Sequence, residues 1–549
     1  MSDEPAITKG IMDKMVGRRA LMGGALGTAL ALPLAPALTA QAAGGTRSAR
    51  RAAPAQTEGK GGTIVIDLGS EVENLDPHQQ LTGTTAMVNA QLFEGLVRFK
   101  PGTVEVEPCL ATSWESSADG LTWTFKLSED VTFHDGTPFN ADAVKFNYDR
   151  QFDPNNEYYP LGQWSGTYAF NFLSGVTVVD PYTVTFTLTT PFNKFLERMN
   201  TMLFVSPAAV QQYREAMIEH PVGTGPYKFD RWDKGQQVVL SRFDEYHKYE
   251  PTLDQVVFKA IPEAGARAAA LLSGDVHLAV EITPEIAEQL STNDQFQVVT
   301  GPTGALWFLA MNVEFEAFKD KRVRQALNFA IDKETICSAI LNDTASVGFG
   351  PLSPAYPDYN PKVEEYYSYD PERAKQLLQE AGYAGETIAF RTSIGGSGML
   401  SPEEMATFIQ DNLREIGVTT EIEVIEFVSW MDAIRNPQNE LTVMSWNLAP
   451  IEPDLMFNGI LSKASLPPGF NTSYWVNDEF EALIETGRSS LDPAEVTTAY
   501  HRAQEIVMEE APIVPVCHRL QVYGVSKLVQ NFTAQPSLEF LLKGVWVSE

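Results

Sequence analysis

From Thr63 to the C-terminus the chain alternates strand-like and helix-like segments, with no solenoid repeat and no low-complexity break. Patterned this way, 549 residues are too many for one hydrophobic core, so two or three domains of mixed α/β type are expected. Thr122–Leu127 and Thr183–Leu188 alternate polar and apolar residues, as half-buried strands do. The second follows an Asp180-Pro181 turn and a strand-like run at Val176–Val179, which predicts a hairpin. Pro371 falls in the first turn after Asp370; Ala374, Leu377, Leu378 and Ala381 then form one apolar stripe that Gly382 ends. Ser401-Pro402-Glu403-Glu404 has capping-box spacing and predicts a helix running to Gly417, with a strand at Val418–Val424 behind it. Val323, Ala326, Leu327, Ala330 and Ile331 make a further helical stripe.

The N-terminal stretch departs from this pattern. Lys9, Lys14, Arg18 and Arg19 precede an uncharged Ala/Gly-rich run from Ala20 to Ala43, broken by Pro33 and Pro36. Such a run suits the core of an export signal and makes a poor membrane span. Ala40 and Ala42 frame Gln41 in an A-x-A cleavage pattern, and Arg18-Arg19 resembles a twin-arginine signal. An ordinary secretory signal that carries two arginines is the alternative, and either one exports the chain. Residues 1–43 are read as the signal and 44–60, rich in Gly, Ala, Ser, Pro and Arg, as a flexible leader. No cysteine directly follows the cleavage site, so the expected product is a soluble periplasmic protein rather than a lipoprotein.

Charge excludes other classes. There are 71 acidic against 40 basic residues, a formal net charge of −31. Removing residues 1–42, which hold four basic and three acidic side chains, makes it −32. With no cluster of Lys and Arg in the body of the chain, nucleic acid is not an expected partner, and anionic membranes would repel it. Catalytic motifs are absent from the sequence: there is no HExxH, no phosphate loop and no G-x-S-x-G, and the seven histidines are scattered. Gly395-Gly396-Ser397-Gly398 is followed by Met399 and reads as a turn; Gly223-Thr224-Gly225 is followed by Pro226 and Tyr227 and reads as a tight structural turn. Cys109, Cys337 and Cys517 have neither zinc nor redox spacing; one pair could bridge, but all three read as buried small apolar side chains. No catalytic residue, metal or cofactor is expected.

A series of short segments stands in one order: Asn74-Leu-Asp-Pro77, Phe93-Glu-Gly-Leu-Val97, Pro108-Cys-Leu-Ala111 with Trp114, and Asp119-Gly-Leu-Thr-Trp-Thr-Phe125. Phe133-His-Asp-Gly-Thr-Pro-Phe139, Pro221-Val-Gly-Thr-Gly-Pro-Tyr227, Val323-Arg-Gln-Ala-Leu327 with Ala330-Ile-Asp-Lys333, and Tyr369-Asp-Pro-Glu-Arg-Ala-Lys375 follow. In this order they resemble the solute-binding proteins of the oligopeptide, dipeptide and nickel ABC-importer family (extracellular solute-binding proteins, family 5), over essentially the whole exported chain. The resemblance implies a two-lobed α/β fold of the periplasmic-binding-protein (venus-flytrap, type II) kind, with an extra subdomain in lobe I. Lobe I would span 61–305 with that subdomain at about 96–219, lobe II 306–515, and 516–549 would return to lobe I. A solute would be enclosed between the lobes by a monomeric receptor and passed to a membrane permease served by separate ATPase subunits, with no chemistry performed on it.

The resemblance also marks ligand-facing positions. Glu71 and Val72 match the family segment that lines the peptide site, and Trp446, ending the strand-like Leu441–Trp446, matches the tryptophan that precedes the amino-group contact. Peptide binders of the family carry an aspartate three residues after that tryptophan. Here the run is Trp446-Asn447-Leu448-Ala449, and Ala449 cannot hold an ammonium, so Glu71, Glu452 or Asp454 would have to replace it. Trp307 and Phe308 are expected to form an aromatic wall with Phe427 and Trp430. His518 occupies a family pocket position, with a buried structural histidine as the alternative. The leading expectation is thus the periplasmic receptor of an importer for a peptide or peptide-like solute. The alternatives are a same-fold receptor for a sugar, opine or metal chelate, the same receptor serving a sensor or chaperone, and a secreted hydrolase.

Overall fold

The computed structural model describes residues 61–80, 82–161, 170–394, 401–446, 451–537 and 540–548. Its main sheet runs in the order Tyr227–Asp233, Gln237–Arg242, Gln255–Lys259, Thr63–Asp67, Leu278–Ala279, Ile513–Ser526, Leu306–Met311, Leu441–Trp446, Thr387–Ile394 and Thr419–Glu426. Thr63–Asp67 lies parallel to both of its neighbours, as Thr387–Ile394 does to its own. The long strand Ile513–Ser526 joins two halves. Its first residues pair with Leu306–Met311, and its last with Phe296–Pro302 and Leu278–Ala279. The fold is two-lobed and mixed α/β, as expected.

Period two decides what the central strand does. All six residues of Leu306–Met311 are buried. Trp307, Leu309 and Met311 enter the core that packs against the helices Lys321–Ala330 and Pro402–Glu415, while Leu306, Phe308 and Ala310 enter the core on the opposite face. The anticipated strands Thr122–Leu127 and Thr183–Leu188 form with Phe125, Val184 and Phe186 inside, and the second pairs with Leu173–Asp180 as the anticipated hairpin. With Ala111–Ser116 they make a separate four-stranded antiparallel sheet around its own core.

The helices follow their punctuation. Asp370 caps Pro371–Ala381 through the Arg373 amide, and Gly382 closes it in the left-handed region at φ 69°. The expected capping box at Ser401 does not form. Ser401 takes φ 47° and ψ 50°, so the helix Pro402–Glu415 starts with no side-chain cap. Gly223 and Gly225 are required for contact, not for a strained turn. A side chain at either would strike the backbone of Gln91 or Leu92, and the Gly225 amide donates to the Leu92 carbonyl at 2.9 Å. All three cysteines are buried. Among the described residues no helix is long and apolar enough to cross a membrane.

Candidate functional site

Trp446 ends the strand Leu441–Trp446, directly opposite Leu306. Its ring leans on Phe470 at 5.1 Å, and its indole N–H donates to the Leu455 carbonyl at 3.1 Å. Gly459, on the helix Pro453–Ile460, must lack a side chain to admit the ring. Trp446 therefore braces that helix. Beyond it lies a cavity of about 290 Å³. Asn171, Phe172 and Arg198 wall it from the inserted-sheet side; Asp454, Asn458 and Arg488 wall it from the half that carries Trp446.

Charge crosses this cavity. Arg198, from the short helix Phe195–Met199, donates to Glu452, the residue that precedes Pro453; both side chains are almost fully buried. Asp454 lies 4.0 Å from Arg198 and 3.8 Å from Arg488, and accepts from the Asn458 amide. Lys194 reaches Asp358 at 2.9 Å alongside. Burial pushes the Glu452 carboxyl up to about 7 against the opposing pull of Arg198, and burial raises Glu197 as well. Arg198 also lies over the Phe192 ring at 5.3 Å.

The sequence-derived candidates divide. Phe427 stacks on Trp430 at 5.8 Å, and both join the cluster that contains Phe308 and Trp446. Trp307 does not join them: as the neighbour of Phe308 on one strand it points to the other face, 1% exposed within the helix-facing core, so the four-ring wall does not form. Val72 is buried in the core around Thr63–Asp67, and the exposed Glu71 accepts from the Gly235 amide at 2.7 Å. His518 is buried, with Nδ1 on the Ala305 carbonyl at 3.1 Å. Asn447 and Ala449 lie outside the described residues. Arg198, Arg488, Asn171 and Asn458 were missed, since no motif marks them and the pair Arg198–Glu452 spans 254 positions.

A larger cavity, about 390 Å³, holds none of the expected residues. It lies beside the buried Glu94, whose carboxylate accepts from Tyr246 at 2.7 Å and Thr224 at 3.0 Å and pairs with His247 at 2.9 Å. Burial alone would raise that carboxyl; His247, Tyr246 and the Cys109 thiol outweigh it and hold it below its ordinary range.

A model described as "Bacterial extracellular solute-binding proteins, family 5 Middle" matches residues 105–466. The chain is 32% identical over 501 residues to the glutathione-binding protein GsiB of Pectobacterium atrosepticum, covering 88% of this chain and 94% of that one. It is 31% identical over 535 residues to heme-binding protein A of Haemophilus influenzae, covering 92% and 96%. Among solved structures, the ABC transporter-associated periplasmic binding protein DppA of Helicobacter pylori, in complex with the peptide STSA, matches with a TM-score of 0.74. It is 29% identical, over 90% of this chain and 99% of that one.

Proposed function

The chain belongs to family 5 of the bacterial extracellular solute-binding proteins, which capture solutes and are not enzymes, and from that premise we propose that it is the periplasmic receptor of an ABC importer for a peptide-like solute. The observation that carries this reading is the cavity walled by Arg198 from one side and by Asp454 and Arg488 from the other, since a site built from two lobes completes itself only on closure. The peptide complex of DppA and the glutathione-binding relative support the ligand class. Delivery would be to a permease with separate ATPase subunits, and the receptor would act as a monomer. The lobe division at 305/306 and 515/516 is part of the proposal, supported by the change of partners along Ile513–Ser526.

Native mass spectrometry on the protein taken from its own periplasm tests the ligand class. A retained peptide or modified peptide is the expected result, and a retained sugar, heme or metal chelate overturns it. Trp446→Ala is expected to weaken binding of that retained solute by about tenfold or more, on the order of 1.4 kcal/mol, because the helix that carries Asp454 and Asn458 loses its brace. Unchanged affinity in titration calorimetry would reduce Trp446 to packing. For export, replacing Arg18 and Arg19 together with lysine is expected to leave the uncleaved chain in the cytoplasm. Normal export of that variant would favour an ordinary secretory signal.

A further inference from the structure

The three carboxylates that could receive a ligand's ammonium are all engaged by the protein. Glu71 accepts from the Gly235 amide, Glu452 pairs with Arg198, and Asp454 stands between Arg198 and Arg488 with Asn458 on one oxygen. The Arg198–Glu452 pair is the decisive one. The Arg198 guanidinium lines the cavity, and the Glu452 carboxylate, fully buried behind that wall just before the helix Pro453–Ile460, holds it at a depth where an unpaired charge is costly. We infer that Arg198 fills the cationic anchor of the cleft from within, so that the solute end lodged against the helix Pro453–Ile460 needs no free ammonium, as in an N-acylated or otherwise amino-blocked peptide. This rests on the reading of the cavity as the peptide site.

The charge balance around the cavity supports it. Lys194, Arg198 and Arg488 face Glu197, Asp358, Glu452 and Asp454. Three cations thus stand against four carboxyls, one negative charge from balance before any solute arrives, and burial raises Glu197 and Glu452, the direction that lessens that excess. An incoming ammonium would be a fourth cation beside a guanidinium that already holds the deepest carboxylate. It would have to expel Arg198 from contact with Glu452 and from the faces of Phe192 and Phe172. A blocked amino end brings no such charge.

Two pools of di- to hexapeptides with the same sequences, one with free and one with acetylated amino ends, would be offered to the ligand-stripped mature protein. Retained peptides would be counted by mass spectrometry. Equal retention, or an excess of the acetylated pool, is the expected result; a preference of more than about threefold for free amino ends overturns the inference. Retention of neither pool sinks the peptide reading itself, and the inference with it. Arg198→Gln is expected to raise the ratio of free to acetylated peptide by about tenfold, because Glu452 is left without its cation. An unchanged ratio in a folded variant would remove Arg198 from this role. Should that variant fail to fold, the two-pool comparison on the wild-type protein decides alone.

Discussion

Arg150→Met is expected to lower the unfolding free energy by about 3–5 kcal/mol, the largest loss from any single substitution considered, measured by urea denaturation at pH 7. Arg150 lies on the helix Ala141–Phe152 and is fully buried, as is Asp76. The guanidinium bonds both Asp76 oxygens, donates to His78 Nδ1 at 2.9 Å and reaches the Leu161 carbonyl at 2.9 Å. Methionine fills much of the space but leaves the buried Asp76 carboxylate with only the His78 amide and the Gln79 side chain as donors and no cation beside it. In the wild-type protein burial would raise Asp76, but Arg150 and His78 outweigh it and hold it below its ordinary range. Without Arg150 both Asp76 and His78 bind protons more readily, and a protonated His78 can stand in as the counter-ion. The deficit should therefore shrink between pH 7 and pH 5. A loss below about 1 kcal/mol at pH 7, or a deficit that widens toward pH 5, would contradict this account.

The contrast between Asp76 and Trp307 shows how far the residues alone could be read. Asp76 was legible only as part of the family segment Asn74-Leu-Asp-Pro77. Its partner Arg150 is 74 positions away, and nothing in the pattern of a helix says which acid its arginine will meet. Arg198 and Glu452 are the same case over a longer span. Where a rule is local and periodic, it held: the stripe of Pro371–Ala381, the alternation of Thr183–Leu188 and the left-handed Gly382 all follow from spacing. Trp307 was readable in principle, since adjacent residues of one strand cannot share a face, and the alternation that buries Phe308 beside Trp446 turns Trp307 away. Ser401 shows the converse, a correct motif defeated by a backbone conformation that residue type does not specify. The order of the family segments carried the fold, but most of those segments pack cores; the charged groups lining the cavity lie largely outside them.

Acid should destabilise the protein well above the ordinary carboxylate range, and three buried histidines are the reason. His134 donates from Nε2 to the Gly225 carbonyl at 3.0 Å and accepts at Nδ1 from the Gly223 amide, so a second ring proton would meet an N–H. His78 accepts at Nδ1 from Arg150 and bonds the Leu203 carbonyl through Nε2 at 2.9 Å, so its second proton would face a guanidinium. His518 uses Nδ1 on the Ala305 carbonyl, and its Nε2 is buried without a partner, in the field of Lys333. Burial is the largest cause in each case, and it pulls all three down to about 4. A group held lower in the folded chain than in the unfolded one stabilises the fold above its unfolded value and loses that contribution as pH falls. Between about 6.5 and 4 the unfolded chain therefore binds up to three more protons, a loss of about 4 kcal/mol per pH unit. Glu452, raised to about 7, and Asp67, raised to about 6, act in the opposite sense: their contributions grow as pH falls through those values. Together they return up to about 3 kcal/mol per unit where the windows overlap, leaving a net loss on the order of 1 kcal/mol per unit. Urea denaturation from pH 7 to pH 4.5 should thus show a steady fall of about 2–3 kcal/mol, and His518→Asn should flatten it by up to one proton's slope. Stability that stays level or rises down to pH 5 would mean that these imidazoles take up their second proton inside the folded protein.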